Sequence, residues 1–498
     1  MMDLCSVYRP LWPQARALSI LVLMLMSACT VGPDFSRPAA PPQTAYVRNP
    51  VAATLPAQGQ AQHFSPGADV AFDWWRLFKS DALNSVVRQA IANNQTLQAA
   101  EASLRQSQST LMAGHGVFYP QLDARAGATR ERSSPVQPGL NSAGSTFNVV
   151  TLSGTISYTL DIFGGARRSV EGLQAEVDHQ TWLTRAAYLA LTANVVNTAI
   201  ARAGYAAQLR TTEQLIGLQK QQLQTIEVQV HSGTAPYSDS LSLRSLIATN
   251  EALLPALEQK ISQSEHLLAS LEGVAPTEVR VPEIELTALS LPTDLPVSLP
   301  SQLVRQRPDI LSAEAQLHRA SANIGVATAA MFPSFSLTGT YGAAGSSLGS
   351  LFAGAGRFWS IGPSIDIPLF QGGSLWFGRQ AAIDAYQQAA ANYRQTVLES
   401  FAQVADALKA LEFDAKVLLK QAQAQASAEE ALRLLQANYR SGLVTYLDLL
   451  VADVQLQQIN LAYLQALAQR HQDTVGLFAA LGGGWWNAPP SADSRQMP

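Results

Sequence analysis

Cysteine is nearly absent from this chain of 498 residues: there are two, Cys5 and Cys29, both close to the amino terminus. A disulfide framework is therefore excluded, and the fold must rest on packing and assembly. Charge is scarce too, at 14% of residues, and the net value of −4 gives no electrostatic footing for nucleic acid. Ala and Gln fill places where Lys and Glu usually sit, which suits long helices packed closely along weakly charged faces. The seven histidines are scattered, with His115, His231 and His266 read as surface or interface residues. No metal-ligand spacing, phosphate loop or Ser/His/Asp grouping stands out, so neither an enzyme nor a cofactor is expected.

What is present begins with a processing segment. Arg9 and Arg16 precede the apolar run Leu18–Met26, which is too short to span a bilayer, and small residues follow at Ser27 and Ala28. Residues 1–28 read as a signal peptide. Met26-Ser27-Ala28-Cys29 resembles a bacterial lipobox, which implies cleavage before Cys29 and its conversion to an N-palmitoyl, S-diacylglycerol cysteine. An ordinary signal peptide with an incidental cysteine is the other reading. Two or more acyl chains are what stable anchoring requires. Thr30, rather than Asp, follows the cysteine and favours sorting to the outer membrane. Residues 29–70 are rich in Pro, Ala and Gln and read as a lipid-anchored extended segment.

The remainder is a duplication. Ser232-Gly233-Thr234-Ala235-Pro236-Tyr237-Ser238-Asp239 returns as Ser441-Gly442-Leu443-Val444-Thr445-Tyr446-Leu447-Asp448, each copy between long helical patterns. Leu83, Ala90, Leu97, Leu104 and Leu111 keep a seven-residue spacing, as do Leu303, Ile310, Leu317, Ile324 and Met331. Such heptads predict helices packed along a seam, ended at Pro120 and Pro333. The helices entering the turns are expected to run on the order of 60 residues, or ~90 Å. Two repeats follow, 71–273 and 301–482, joined by a Pro-rich connector over 274–300, with tips at about 232–239 and 441–448 and a flexible tail over 483–498. Trp74 and Trp75 read as an anchor for the first helix, and Arg307-Pro308-Asp309 as a helix start with an ion pair.

Each repeat also carries a hairpin, at about 122–160 and 335–369. Leu122, Ala124 and Ala126 alternate with Asp123, Arg125 and Gly127, and Ile361, Ile365 and Ile367 alternate with Gly362, Ser364 and Asp366. This is the weak signature of a membrane β-strand, though a soluble hairpin has the same pattern. Four strands cannot close a barrel, and open edges do not persist in lipid, so membrane insertion would require several chains to pool strands.

At this point Val31-Gly32-Pro33-Asp34 with Arg37-Pro38, Trp75-x-x-Phe78-x-x-Asp81-x-Leu83, Arg307-Pro308-Asp309-Ile310 with Ala313-Glu314, and Ile324-Gly325-x-Ala327 before Phe332-Pro333 can be taken together. They resemble the outer-membrane factor family of TolC-like channels, in the lipoprotein branch of the NodT/OprM type. The resemblance covers nearly the whole chain after Cys29. It implies a mainly α fold with transmembrane β: a homotrimer whose 12-strand barrel continues as a long periplasmic α-helical barrel, with a small mixed equatorial region. It implies an exit duct in the outer membrane of a Gram-negative bacterium, passing small toxic compounds or drugs. Its partners would be outer-membrane lipid, a periplasmic adaptor (membrane fusion) protein and an inner-membrane efflux pump of the RND type. A protein-secretion channel and a non-conducting structural envelope lipoprotein are the alternatives.

Within that family the turns form the periplasmic entrance and touch the adaptor, which carries over to Gly233, Tyr237, Asp239, Gly442, Tyr446 and Asp448. Asp239 and Asp448 also suit helix caps. Where the family often reads Leu-Asp-Ala-Gln, this chain has Leu450-Val451-Ala452-Asp453, so Leu447, Asp448, Val451 and Asp453 are the candidates for a pore constriction.

Overall fold

The structure, a computed structural model, describes residues 30–57, 60–132 and 145–488. The signal peptide, Cys29, most of the first hairpin loop and the last ten residues of the predicted tail lie outside the described residues.

In chain order the elements are β1 (His63–Pro66), α1 (Asp81–Asn93), α2 (Gln95–Gly114), β2 (Gln121–Arg132), β3 (Thr146–Leu160) and α3 (Gly165–His231). They continue with α4 (Tyr237–Glu251), α5 (Leu254–Glu272), β4 (Asp294–Val297), α6 (Pro308–Ala329), β5 (Ser334–Gly345), β6 (Arg357–Asp366), α7 (Ser374–Arg440) and α8 (Tyr446–Ala480). The two long helices are each 67 residues, about 100 Å at 1.5 Å per residue. They end at His231 and Arg440, where the sequence placed the turns.

The chain divides into two compact units that cut across the two repeats. One takes the amino-terminal segment up to Arg37, Arg105–His179 and Glu314–Asn392; the other takes Pro38–Leu104, Gln180–Ala313 and from Tyr393 onward. Each unit therefore draws on both copies of the duplication.

The first unit holds a four-stranded antiparallel sheet in the order β2-β3-β5-β6, so β3 joins the two hairpins. Its register sorts the side chains by chemistry. Leu122, Ile156, Gly339 and Ile361 stand in one row across the sheet, and Ala124, Gly154, Tyr341 and Trp359 in the row two residues along, on the same face. The opposite face carries Asp123, Thr155, Thr338 or Thr340, and Gly362 or Ser360. There Thr155 and Thr340 hydroxyls bond at 3.2 Å and Ser336 and Ser364 at 2.6 Å. The apolar face is bare: Leu122 is 77% exposed, Trp359 73%, Ile361 69% and Ile365 59%. Neither edge, β2 nor β6, pairs with a further strand among the described residues. The second hairpin differs in detail from expectation. β5 runs on to Gly345, the loop includes a helical turn at Leu348–Leu351, and β6 stops at Asp366, leaving Ile367 outside.

The second unit contains the main core. Trp74, Phe78, Leu83, Leu268, Val475 and Phe478 are buried there, and Trp74 stacks on Phe478 at 5.3 Å, so the Trp pair is an anchor as read. The parallel pair β1–β4 ties the amino-terminal segment to the Pro-rich connector. Arg307 pairs with Asp309 at 2.5 Å and donates to Ala480 O and Gln403 Oε1. The motif is a structural tie, as expected.

Three expectations need correction. The first heptad helix is broken at Asn94, whose extended backbone (ψ 123°) ends α1 while its Oδ1 accepts from Leu97 N at 2.9 Å and starts α2. After the first tip, the helix is interrupted between α4 and α5. Pro255 has no N–H for the carbonyl of Glu251, so the ladder skips there. The tail does not loosen at 483. Gly482, Gly483 and Gly484 take left-handed φ values, which turn the chain so that Trp485 Nε1 donates to Gln306 O at 2.6 Å and Asn487 Nδ2 to Val70 O at 2.8 Å.

Candidate functional site: the paired helical turns

Both turns lie in the second unit and close by the same bonds. Gly233 N donates to Val230 O at 3.0 Å and Thr234 N to Gln229 O at 2.8 Å; Gly442 N donates to Tyr439 O at 3.0 Å and Leu443 N to Asn438 O at 2.9 Å. This is the Schellman arrangement, and it needs a left-handed residue after the cap. Gly233 and Gly442 both have φ 73°. The glycines are there for the backbone.

Beyond the glycines the copies diverge. In the second, Thr445 caps α8 and Asp448 answers it: the Asp448 carboxylate accepts from Thr445 N at 2.9 Å and from its hydroxyl at 2.6 Å. These bonds hold the Asp448 carboxyl below its usual range. In the first, Pro236 occupies the cap and gives no side-chain bond, so Asp239 sits in the first turn near the positive end of the helix dipole, and its Oδ1 accepts only a long bond from the neighbouring Ser238 hydroxyl at 3.4 Å. The capping reading thus holds for Asp448 and not for Asp239.

The tyrosines diverge more. Tyr237 is 59% exposed, whereas Tyr446 is 4% exposed. Tyr446 packs with Ile226, Leu243, Ile247 and Leu449 in a small core that joins α3, α4 and α8, and its ring lies 5.7 Å from Tyr439. Its hydroxyl has no hydrogen-bond partner among the described residues. Burial pushes that hydroxyl's pKa up, with the charges of Asp453 and Asp239 adding to the effect. Tyr446 was expected at a docking surface; it is core instead, because α8 turns its first-turn aromatic inward.

Asp453 is likewise turned into the protomer. Its Oδ2 accepts from Gln219 Nε2 at 2.7 Å, and Gln219 Oε1 accepts from Asn250 Nδ2 at 2.9 Å, a buried polar relay across α8, α3 and α4. Burial raises its pKa, and the Gln219 bond offsets this in part. Leu447 and Val451, one turn apart on α8, are 66% and 60% exposed, and Leu443 in the turn is exposed as well. Of the four constriction candidates, two are bare apolar side chains, one is tied in a cap and one is bonded inward. Gln219, Asn250 and Thr445 were not singled out in the sequence. Only Thr445, a Thr three residues before an Asp at a helix start, carried a readable signal.

The family model for outer membrane efflux proteins matches residues 86–274 and again 299–483. The chain belongs to this family. Among its relatives, the pyoverdine export outer membrane protein OpmQ of Pseudomonas aeruginosa is 29% identical over 94% of this chain and 98% of its own length. The cation efflux system protein CusC of Escherichia coli O6:H1 is 27% identical over 94% and 99%. The solved structure of the outer-membrane channel OprN superposes with a TM-score of 0.81 at 27% identity, covering 92% of this chain and all of that one. The outer-membrane-factor resemblance is thereby shown, and the fold is that of the outer-membrane channels.

Proposed function

We propose that this outer membrane efflux protein is the exit duct of a tripartite efflux system, passing small toxic compounds passively across the outer membrane. The observation that carries this is the four-stranded sheet with one bare apolar face, one polar face and two open edges. Strands of 10–15 residues are long enough to cross a bilayer. Unpaired backbone edges cost several kcal/mol per group in hydrocarbon, so copies must join edge to edge. Two copies would close eight strands, whose interior side chains fill; three close twelve around an open lumen. The homotrimer is thus the smallest assembly that conducts.

In this reading Cys29 carries the acyl chains and holds the protein in the outer membrane. Gly233, Tyr237, Asp239 and Gly442 present the tips to a periplasmic adaptor, which links the duct to an inner-membrane pump of the RND type. Leu443, Leu447 and Val451 line an apolar constriction, while Asp448 and Asp453 support it from within each protomer. Relatives named for pyoverdine export and cation efflux support a duct whose cargo is set elsewhere.

Planar-bilayer recording tests this. The purified protein is expected to give discrete single-channel steps, and Leu447→Ser with Val451→Ser to raise open probability. Silence in the parent and in the double variant, with protein incorporated, would refute the duct.

A further inference from the structure

The segment Thr30–Arg37, expected as part of an extended tether, does lie along the surface, but it is held there within the first unit at Val31, Gly32, Asp34, Phe35 and Arg37. Val31 N donates to Phe163 O at 3.0 Å, just after β3 ends. Gly32, at φ 95°, lies against the backbone of Gly325 so closely that a Cβ would strike it. Asp34 accepts from Arg168 Nη2 at 2.6 Å; Phe35 stacks on His318 with centroids 4.4 Å apart; and Arg37 pairs with Glu314 at 2.5 Å. Arg168 is the pivot. It is buried, its Nη1 donates to Glu171 at 2.7 Å, its Nε to Val31 O at 3.4 Å, and its stem runs over Gly325, where a side chain would collide with it. Glu171 is shared with His318 at 2.9 Å.

This places the family-motif residues Glu314 and Gly325 in one seat for the amino-terminal motif. Nothing in a passive duct requires such a seat. A plain tether would hold a lipid as well, and anchoring strength comes from the acyl chains. What a clamp adds is position. Residue 29 stands two residues before the bonded Val31, a reach of at most about 7 Å. We infer that the surface of Arg168, Glu171, Glu314, His318 and Gly325 is a docking site for residues 30–37 that fixes where the lipid leaves the protein. The acyl chains then enter the membrane at one point beside the β3–α3 junction and set the depth of the sheet. Arg168 acts as a positioning residue, and the inference rests on the lipid anchoring of Cys29 proposed above.

The test uses full-length lipidated protein in nanodiscs of phosphatidylethanolamine and phosphatidylglycerol, with a nitroxide on Pro33→Cys. In the parent the label is expected to be immobile and at a single depth. Arg168→Gln removes two charge-assisted bonds and is expected to raise the mobile fraction on the order of tenfold and to broaden the depth. Should that variant fail to fold, Asp34→Ala with Arg37→Ala leaves the buried guanidinium in place on Glu171 and is expected to act in the same direction. Variant spectra that superimpose on the parent's would overturn the clamp. Labelled palmitate, followed in the same samples with Cys29→Ser as control, separates the two claims. An immobile label without palmitate refutes the anchor and with it the placing of a lipid, while leaving the docked segment standing.

Discussion

Tyr237 and Tyr446 occupy matching places in two copies of one turn, yet one is bare and the other is core. Their chemistry follows the environment rather than the motif. The Tyr446 ring contributes through packing, while its hydroxyl is buried with no partner among the described residues, so removing the hydroxyl removes a desolvation cost. Tyr446→Phe is expected to leave stability unchanged or slightly raised, and Tyr446→Ala to lose about 3–5 kcal/mol, by denaturant titration in detergent. A loss of that size in Tyr446→Phe would show that the hydroxyl is satisfied after all.

A second residue-scale case is Asp414 on α7. Burial, and then the Asp473 carboxyl on α8, push its pKa up from 3.8 to about 8, with Arg470 opposing. Neighbouring His471 is pushed down to about 4, by burial first and then by Arg470. The signs differ. A raised acid adds stability below its unfolded pKa and loses it as pH rises through the folded value; a depressed histidine loses stability as pH falls. The two slopes oppose between the His471 value of about 4 and its unfolded 6.5. From there to about 8 only the Asp414 slope remains. The free energy of unfolding is therefore expected to fall across that upper window, by at most about 1.4 kcal/mol per pH unit, and Asp414→Asn to flatten the decline. An equal decline in the variant would assign it elsewhere.

At the scale of elements, the twin turns share their closing bonds and differ in their openings. Thr445→Ala removes a reciprocal cap and is expected to cost about 1 kcal/mol, whereas Asp239→Ala, with no cap to lose, should cost a few tenths. Hydrogen exchange in the first turns of α8 and α4 distinguishes the two; equal effects would contradict the asymmetry. The elements were legible where periodicity or a proline spoke. Gly165–His231 and Ser374–Arg440 end where the duplicated Ser-Gly motif begins. Asn94 was not legible, because Ala90 and Leu97 stay in heptad register across the break it makes. Nor was the seat of Trp485. Its bond to Gln306 joins residues 179 apart, and three glycines in a row read locally as slack. Arg168 hid for the same reason: beside its local pair with Glu171, its partners Val31 and Asp34 lie more than 130 residues away in sequence.

At the scale of the whole molecule, the duplication sets the sequence while the compact units ignore it, each combining pieces of both repeats. The sheet shows why. Neither hairpin is wide enough alone, and β3 pairing with β5 makes one surface from both. Among the described residues that surface has two finished faces and two unpaired edges, which is what the proposed assembly would close. The family and the channel fold could be read from scattered motifs, but the proposed trimer rests on the edges of β2 and β6, unpaired among the described residues. Native mass spectrometry of the purified protein in detergent tests this most directly. Three copies, closing twelve strands around a lumen, are the expected result; a stable monomer, or a dimer closing only eight, would contradict it.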